Sequence, residues 1–172
     1  MNDWGRATYG DPCRECGYEW SIREGDAVAL VTAAPNRYAE AVRGADASRR
    51  HPDLGWSARA YVCHVTDNLR IWAERLVGAA LDGPLLVVPY DNDLLASGRA
   101  YDGVPIEGAL WSLGKAVEDW NEAIAVANQR EVRLLHPERG ELVVTDVVRT
   151  NAHDVHHHEW DIRRSVGADT SL

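Results

Sequence analysis

The sequence of 172 residues contains no phenylalanine, only three cysteines and little positive charge. Its 18 Lys and Arg residues stand against 27 Asp and Glu residues, and the resulting net charge of −9 argues against a surface that tracks nucleic-acid phosphates. A hydrophobic fraction of 45%, with seven Trp and six Tyr, excludes a disordered chain in spite of the missing Phe. The length favours a single domain over residues 1–172.

Long apolar runs are absent as well. No stretch approaches the ~18 apolar residues that a membrane-spanning helix needs. The start, MNDWGRATYG, has no basic region followed by an apolar stretch. We therefore expect a cytoplasmic protein without membrane or nucleic-acid partners. In such a reducing compartment, an odd set of three cysteines favours thiols or metal ligands over disulfides.

Apolar residues recur at helical spacing in four parts of the chain. These parts are 21–43, 57–81, 106–128 and 145–165. Ser21, Ser57 and Thr145 stand where N-caps are expected, and Gly167 stands where the last helix should stop. Pro35 should kink or split the first of these helices.

The remaining segments are connections of three kinds. Residues 1–20, here called the lead-in, are rich in Gly and turns and predict an irregular segment. A long crossover follows the second helix, with a short apolar run, PLLVVP, that could pair locally or pack as coil. REVRLL and ELVVTD around HPERG predict a short hairpin before the last helix. The fold class is thus all-α, a four-helix bundle with one long crossover, whose interior can hold metal ligands.

Four of the seven histidines crowd into the last predicted helix, in the segment HDVHHHEW. Residues four apart on a helix project from the same side, which gives two candidate ligand pairs, His153 with His157 and Asp154 with His158. At ~100° per residue, the first pair lies farthest from the apolar stripe of the helix. Asp154, His158 and Asp161 flank that stripe, so the second pair is better placed for an interior site.

A third ligand is available on the second predicted helix, where His64 also flanks an apolar stripe. We therefore predict a site of His64, Asp154 and His158 with open positions for water or substrate, and His153 with His157 as the alternate pair. Two imidazoles and a carboxylate suit Zn²⁺, Ni²⁺ or Fe²⁺, with zinc as the first expectation. Three protein ligands and an open position are typical of a catalytic metal.

The lead-in carries a further pair, Cys13 and Cys16, at C-x-x-C spacing. This pair could supply half of a tetrahedral zinc site, act as a redox pair or simply be buried as thiols. The sequence offers four residues that could complete a zinc site, without a spacing that selects among them: His51, Cys63, His136 and His156. Because Cys63 is adjacent to His64, it should point about 100° away from it, into the core.

Two segments carry a resemblance to a known family. YVCHVTDNLRIWAERL around His64 and HDVHHHEWDI around His158 resemble the DinB-like superfamily of metal-binding four-helix bundles, which includes the mycothiol-dependent maleylpyruvate isomerases. The resemblance runs from about Trp20 to the C-terminus. It implies the ligands His64, Asp154 and His158, where Asp154 stands at a position that is His in many members and Glu in the mycothiol branch. Asp161 resembles the last residue of that branch's E-x-x-x-H-x-x-D pattern.

The resemblance implies a thiol S-transferase or isomerase that uses a low-molecular-weight thiol with a small-molecule substrate. Asp161, or less favourably Glu159, would accept the free N–H of a ligand imidazole. The segment GDPCRECGYEW looks like that of an uncharacterised actinobacterial subgroup, for which no reaction is implied. The alternatives are a non-catalytic metal-binding or sensing module and a metal-dependent hydrolase. The catalytic base and substrate are not indicated, and a homodimer would account for Trp160 outside the apolar stripe.

Overall fold

A computed structural model describes residues 3–170 of the protein. Its helices are α1 Trp4–Tyr9, α2 Glu24–Ala41, α3 Ala58–Asp82, α4 Asn92–Gly98, α5 Ile106–Gln129 and α6 Val144–Val166. Its strands are β1 Leu85–Leu86, β2 Arg133–His136 and β3 Gly140–Val143. Residues 1–2 and 171–172, at the ends of the predicted domain, lie outside the described residues. Within 3–170, no helix is long and apolar enough to cross a membrane.

The long helices α2, α3, α5 and α6 form the bundle, which confirms the predicted fold class. Helix α3 packs against α5 and α6, and α2 packs against the same two helices. The core includes the fully buried Leu69, Trp120 and Ile162, each worth about 1.5–3 kcal/mol of burial. Tyr38 is also fully buried, and its hydroxyl donates to the carbonyl of Val155 at 2.7 Å, which ties α2 to α6.

Two of the three predicted N-caps are wrong. Ser57 accepts from the Ala60 N–H at 3.3 Å and begins α3 as expected. Ser21 lies in a turn ahead of α2, which begins at Glu24. Thr145 lies inside α6, because the chain passes from β3 into the helix without a loop; the Asp146 carboxylate accepts from the Val143 N–H instead.

The predicted split of the first long helix does not occur. Helix α2 runs without interruption from Glu24 to Ala41 with Pro35 inside it. Packing of α2 against both α5 and α6 offsets the backbone hydrogen bond that proline cannot make.

The predicted hairpin is present and belongs to a larger sheet. β2 and β3 pair antiparallel, and β1 from the crossover pairs parallel with β2, so that Leu85 lies opposite Leu134. The rest of the crossover is held to the bundle by the buried Asp67 of α3, which accepts from the Tyr101 hydroxyl and from Arg99.

The lead-in is more ordered than predicted, since it contains α1 and packs along α6. The Tyr18 hydroxyl donates to the Arg149 carbonyl at 2.9 Å, and His156 Nε2 donates to the Cys16 carbonyl at 3.0 Å. The packing inside the lead-in is tight, because a Cβ on Gly5 would lie 2.4 Å from the Trp20 ring. The lead-in thus covers the face of α6 that points away from the bundle interior.

Candidate metal centre

Helices α3 and α6 bring His64, Asp154 and His158 together. One potential ligand atom from each residue lies within 4.8 Å of the other two. His64 Nε2 is 3.8 Å from Asp154 Oδ2, and His158 Nε2 is 3.4 Å from Asp154 Oδ1. Each carboxylate oxygen therefore faces a different imidazole, so the carboxylate and the two imidazoles point at a common centre.

Neighbouring side chains orient two of these three residues. Asn68 Nδ2 donates to Asp154 Oδ2 at 2.7 Å. His158 Nδ1 donates to Asp161 Oδ2 at 2.9 Å, which leaves Nε2 as the nitrogen that faces the centre. A carboxylate on the far nitrogen of a histidine fixes its tautomer and ring orientation, as is usual for metal-binding histidines.

The charges of the three residues fit a positive ion between them. Burial by itself would raise the pKa of Asp154, but His158 and His64 lower it well below its usual range. Burial would likewise lower the pKa of His158, but Asp154 and Asp161 raise it to about 9. The carboxylates thus already stabilise positive charge at His158, and a divalent cation in the centre would take the place of that proton.

A cavity of about 350 Å³ opens against His64 and Asp154. Its other lining includes Arg75, Arg139, His136 and Glu138, so two guanidinium groups share the cavity with the carboxylate. The Arg75 guanidinium donates to the Val88 carbonyl at 2.5 Å, which fixes its position. Burial and the neighbouring Arg139 lower the pKa of His136, which favours its neutral form.

The alternate pair His153 and His157 is rotated by about 100° around α6 from Asp154 and His158, and His153 also lines the cavity. There the structure brings the two histidines to Cys13 and Cys16, with ligand atoms within 4.8 Å of one another. Sequence reasoning misses this combination, since it treats the cysteines as half of a zinc site and the two histidines only as the alternate to Asp154 and His158.

The four residues proposed to complete a cysteine site do not take part in this cluster, within the residues that the structure describes. His156 holds the Cys16 carbonyl, and Cys63 is buried in the core as expected. The redox interpretation is not favoured either, since burial raises the pKa of Cys16 to about 12 and reactive cysteines need a lowered one.

The structure also gives different roles to Asp161 and Glu159, the two carboxylates that could support a ligand histidine. Asp161 contacts His158, whereas Glu159 is fully buried in an ion pair with Arg37 at 2.7 Å and with Arg163 at 2.9 Å. Glu159 therefore joins α6 to α2 and does not orient a histidine.

Comparison with known proteins decides the family. The sequence model of the DinB superfamily matches residues 30–161. This chain belongs to the DinB superfamily. No curated protein matches the chain. Among solved structures, YfiT from Bacillus subtilis, described as a probable metal-dependent hydrolase with an unusual four-helix bundle topology, has a similar fold. The TM-score is 0.74 at 17% identity, over 87% of this chain and 92% of that one.

The residues matched by the DinB model include all of the first cluster and only the histidines of the second. His64, Asp154 and His158 lie inside the matched residues 30–161, and so do His153 and His157. Cys13 and Cys16 lie before the first matched residue. The superfamily resemblance read from the sequence is thus confirmed, and a His/Asp group suited to a divalent metal lies inside this DinB fold.

Proposed function

We propose that the protein is a divalent-metal-dependent enzyme in which His64, Asp154 and His158 hold the ion. The observation that carries the proposal is the convergence of these three donors, two of which, His64 and Asp154, line a cavity of about 350 Å³. Three protein donors leave coordination positions for water or substrate. When bound, the ion would lower the pKa of a coordinated water or thiol and so supply a nucleophile near neutral pH.

The first candidate reaction is thiol transfer or isomerisation with a low-molecular-weight thiol. Among the described residues, no cysteine or serine lines the cavity, and the Thr150 hydroxyl donates to the Asp146 carbonyl. A small-molecule thiol would therefore supply the nucleophile of this candidate reaction. The D-x-x-x-H-x-x-D arrangement of Asp154, His158 and Asp161 supports this candidate, since it resembles the pattern of the mycothiol-dependent isomerases. In it, Asp161 keeps Nε2 of His158 directed at the centre.

The remaining groups of the cavity have separate roles in this proposal. Asn68 fixes the Asp154 carboxylate, and the Tyr90 hydroxyl donates in turn to the Asn68 amide oxygen at 3.3 Å. Arg75 and Arg139 would bind a carboxylate of the substrate or the negative charge that develops on it. Zinc is the expected ion, and nickel or iron would fit the same donors.

Hydrolysis is the second candidate, and the two arginines that line the cavity favour it. Arg75 and Arg139 could stabilise an oxyanion formed when water attacks an ester or amide. YfiT, with which this chain shares its fold, is described as a probable metal-dependent hydrolase. Both candidates require the same ligands and differ only in the nucleophile.

The experiment compares wild-type protein, purified without a polyhistidine tag, with His64→Ala and with His51→Ala as a matched control. Each is supplied with zinc and assayed for thiol consumption with a panel of electrophiles and for hydrolysis of ester and amide panels. Thiol consumption that disappears only in His64→Ala supports the first candidate, and hydrolysis with the same dependence supports the second. Metal binding at His64 without turnover in either assay would contradict an enzymatic role.

A further inference from the structure

Helix α6 carries two ligand pairs that are offset by one residue, and so by about 100° around the helix axis. Asp154 and His158 lie next to His64 of α3, whereas His153 and His157 lie next to the cysteines of the lead-in. Asp154 and His153 both line the cavity. The cysteines of the lead-in meet the second pair across more than a hundred residues of sequence. The same helix thus supports two clusters of different chemistry, one with three donors and one with four.

We propose that Cys13, Cys16, His153 and His157 form a second, structural Zn²⁺ site that fastens the lead-in to α6. Two thiolates and two imidazoles are a common donor set of closed tetrahedral zinc sites. Donor atoms around such an ion lie about 3.3–3.8 Å apart, given the bond lengths of Zn²⁺. Cys13 Sγ and His157 Nδ1 are 3.9 Å apart, and all four donors lie within 4.8 Å of one another.

The orientation of the two histidines supports this site independently of the cysteines. His153 Nε2 is buried and has no hydrogen-bond partner among the described residues, a costly state for a ring nitrogen. Its ring is packed against Tyr9 and Trp20, with centroid distances of 4.6 Å to each. A metal ion provides the partner that these aromatic rings do not offer.

His157 shows the arrangement of a metal-binding histidine with a carboxylate behind it. Nδ1 faces Cys13, while Nε2 lies 3.5 Å from Glu15 and 3.8 Å from Asp161. Such a carboxylate holds the proton on the far nitrogen and leaves the near one free to coordinate. Both histidines therefore present a nitrogen to the thiols.

The backbone of the lead-in is folded so that both thiols point to the same side. The Gly17 N–H donates to the Cys13 carbonyl at 3.0 Å, and the Cys13 N–H donates to the Tyr18 carbonyl at 2.8 Å. Gly17 has φ +75°, a conformation that a residue with a Cβ adopts at a cost. The sequence Cys-x-x-Cys-Gly thus encodes a tight turn that presents both sulfurs to α6.

The second site would hold one wall of the first. Trp4 and Tyr9 of the lead-in line the cavity beside His64 and Asp154, so release of the lead-in would open that cavity to solvent. The proposal does not depend on the proposed function, because a closed site of four protein donors has no position for substrate.

The test uses the full chain without a tag, prepared under reducing conditions. We expect about two divalent ions per wild-type chain, and one in Cys13→Ser/Cys16→Ser. The matched control Cys63→Ser, which removes a buried thiol outside the cluster, should retain both. His64→Ala should lose the other ion, so that the two sites fail separately.

The identity of the ligand atoms around the ion tests the second site even if the Cys13→Ser/Cys16→Ser variant does not fold. In wild-type and His64→Ala protein, zinc X-ray absorption should show sulfur ligands at about 2.3 Å together with nitrogen at about 2.0–2.1 Å. Cobalt substitution should likewise give thiolate-to-cobalt charge-transfer absorption in both proteins. A spectrum with nitrogen and oxygen ligands alone, or a Cys13–Cys16 disulfide in the reduced preparation, would overturn the proposal.

Discussion

The two sides of α6 differ in how many donors they gather and in what surrounds them. On the bundle side there are three donors, two of which line a cavity that two arginines also line. On the lead-in side, four donors lie among aromatic rings, with Cys13 and His153 almost fully buried. A site with three protein donors leaves a coordination position for water or substrate. A site with four protein donors has no such position and serves to join segments of the chain. The contrast arises from a shift of one residue along a single helix.

The largest effect should come from loss of the closed cluster. Cys13→Ser/Cys16→Ser should lower the free energy of unfolding by about 4 kcal/mol or more, since loss of a structural metal belongs to the most severe class of changes. Chemical denaturation in the presence of zinc measures it. Cys63→Ser should cost about 1 kcal/mol. Equal losses in the two variants would mean that the two sides of α6 do not differ as described.

His64→Ala should have the opposite profile, with a large loss of activity and a small loss of stability. A bound ion contributes several kcal/mol to the transition state, so kcat/KM should fall about a hundredfold or more. Steady-state kinetics on the substrate found by the assays above, together with a melting curve, measures both. A stability loss as large as that of the cysteine variant would contradict an open, catalytic site.

Asp161→Asn tests whether the two sides are connected. Asp161 Oδ2 is 2.9 Å from His158 Nδ1 and 3.8 Å from His157 Nε2, so the carboxylate stands behind one histidine of each cluster. Such supporting carboxylates usually contribute 10–100-fold to metal affinity, about the loss we expect at the bundle side, with a smaller one at the lead-in side. Competition with a chelator measures both affinities. Asp119 is an exposed carboxylate of α5, so Asp119→Asn should change neither metal affinity. Unchanged affinities in Asp161→Asn would mean that Asp161 does not link the two clusters.

Gly5→Ala should give the smallest effect. The new Cβ would meet the buried Trp20 ring at 2.4 Å and force the lead-in to shift, at a cost of about 1 kcal/mol, the lower end for overpacking. Thermal unfolding measures this loss, and cleavage in the lead-in by a protease should become faster. Gly25→Ala, where a Cβ meets nothing within 4 Å, should be neutral or stabilising. A stable, protease-resistant Gly5→Ala protein would mean that the lead-in does not need this close contact.

Helical phase accounts for most of what the sequence could predict. It separated Asp154 and His158 from His153 and His157, and the structure places the first pair next to His64 as expected. That these residues bind a metal stays a prediction. The bundle and the hairpin followed from periodicity and turn residues, which act locally along the chain.

What the sequence could not predict depends on contacts between distant segments. Nothing in the period of α6 indicates that residues 13–16 cover His153 and His157, because such a contact leaves no local pattern. The prediction of Thr145 as an N-cap is wrong for a related reason. Its hydroxyl donates to Glu24 at the start of α2, and a bond of this kind between two helices is invisible to rules about caps.

The three-stranded sheet has a consequence for how this pocket could change in evolution. The β1–β2 pairing carries the crossover toward Tyr90, and β2 ends at His136, so part of the cavity wall belongs to connecting segments. The donors themselves sit on two packed bundle helices. Connecting segments accept insertions and substitutions far more readily than packed helices do. New substrates could therefore be accommodated by rebuilding the sheet and its loops while the ligands stay where they are.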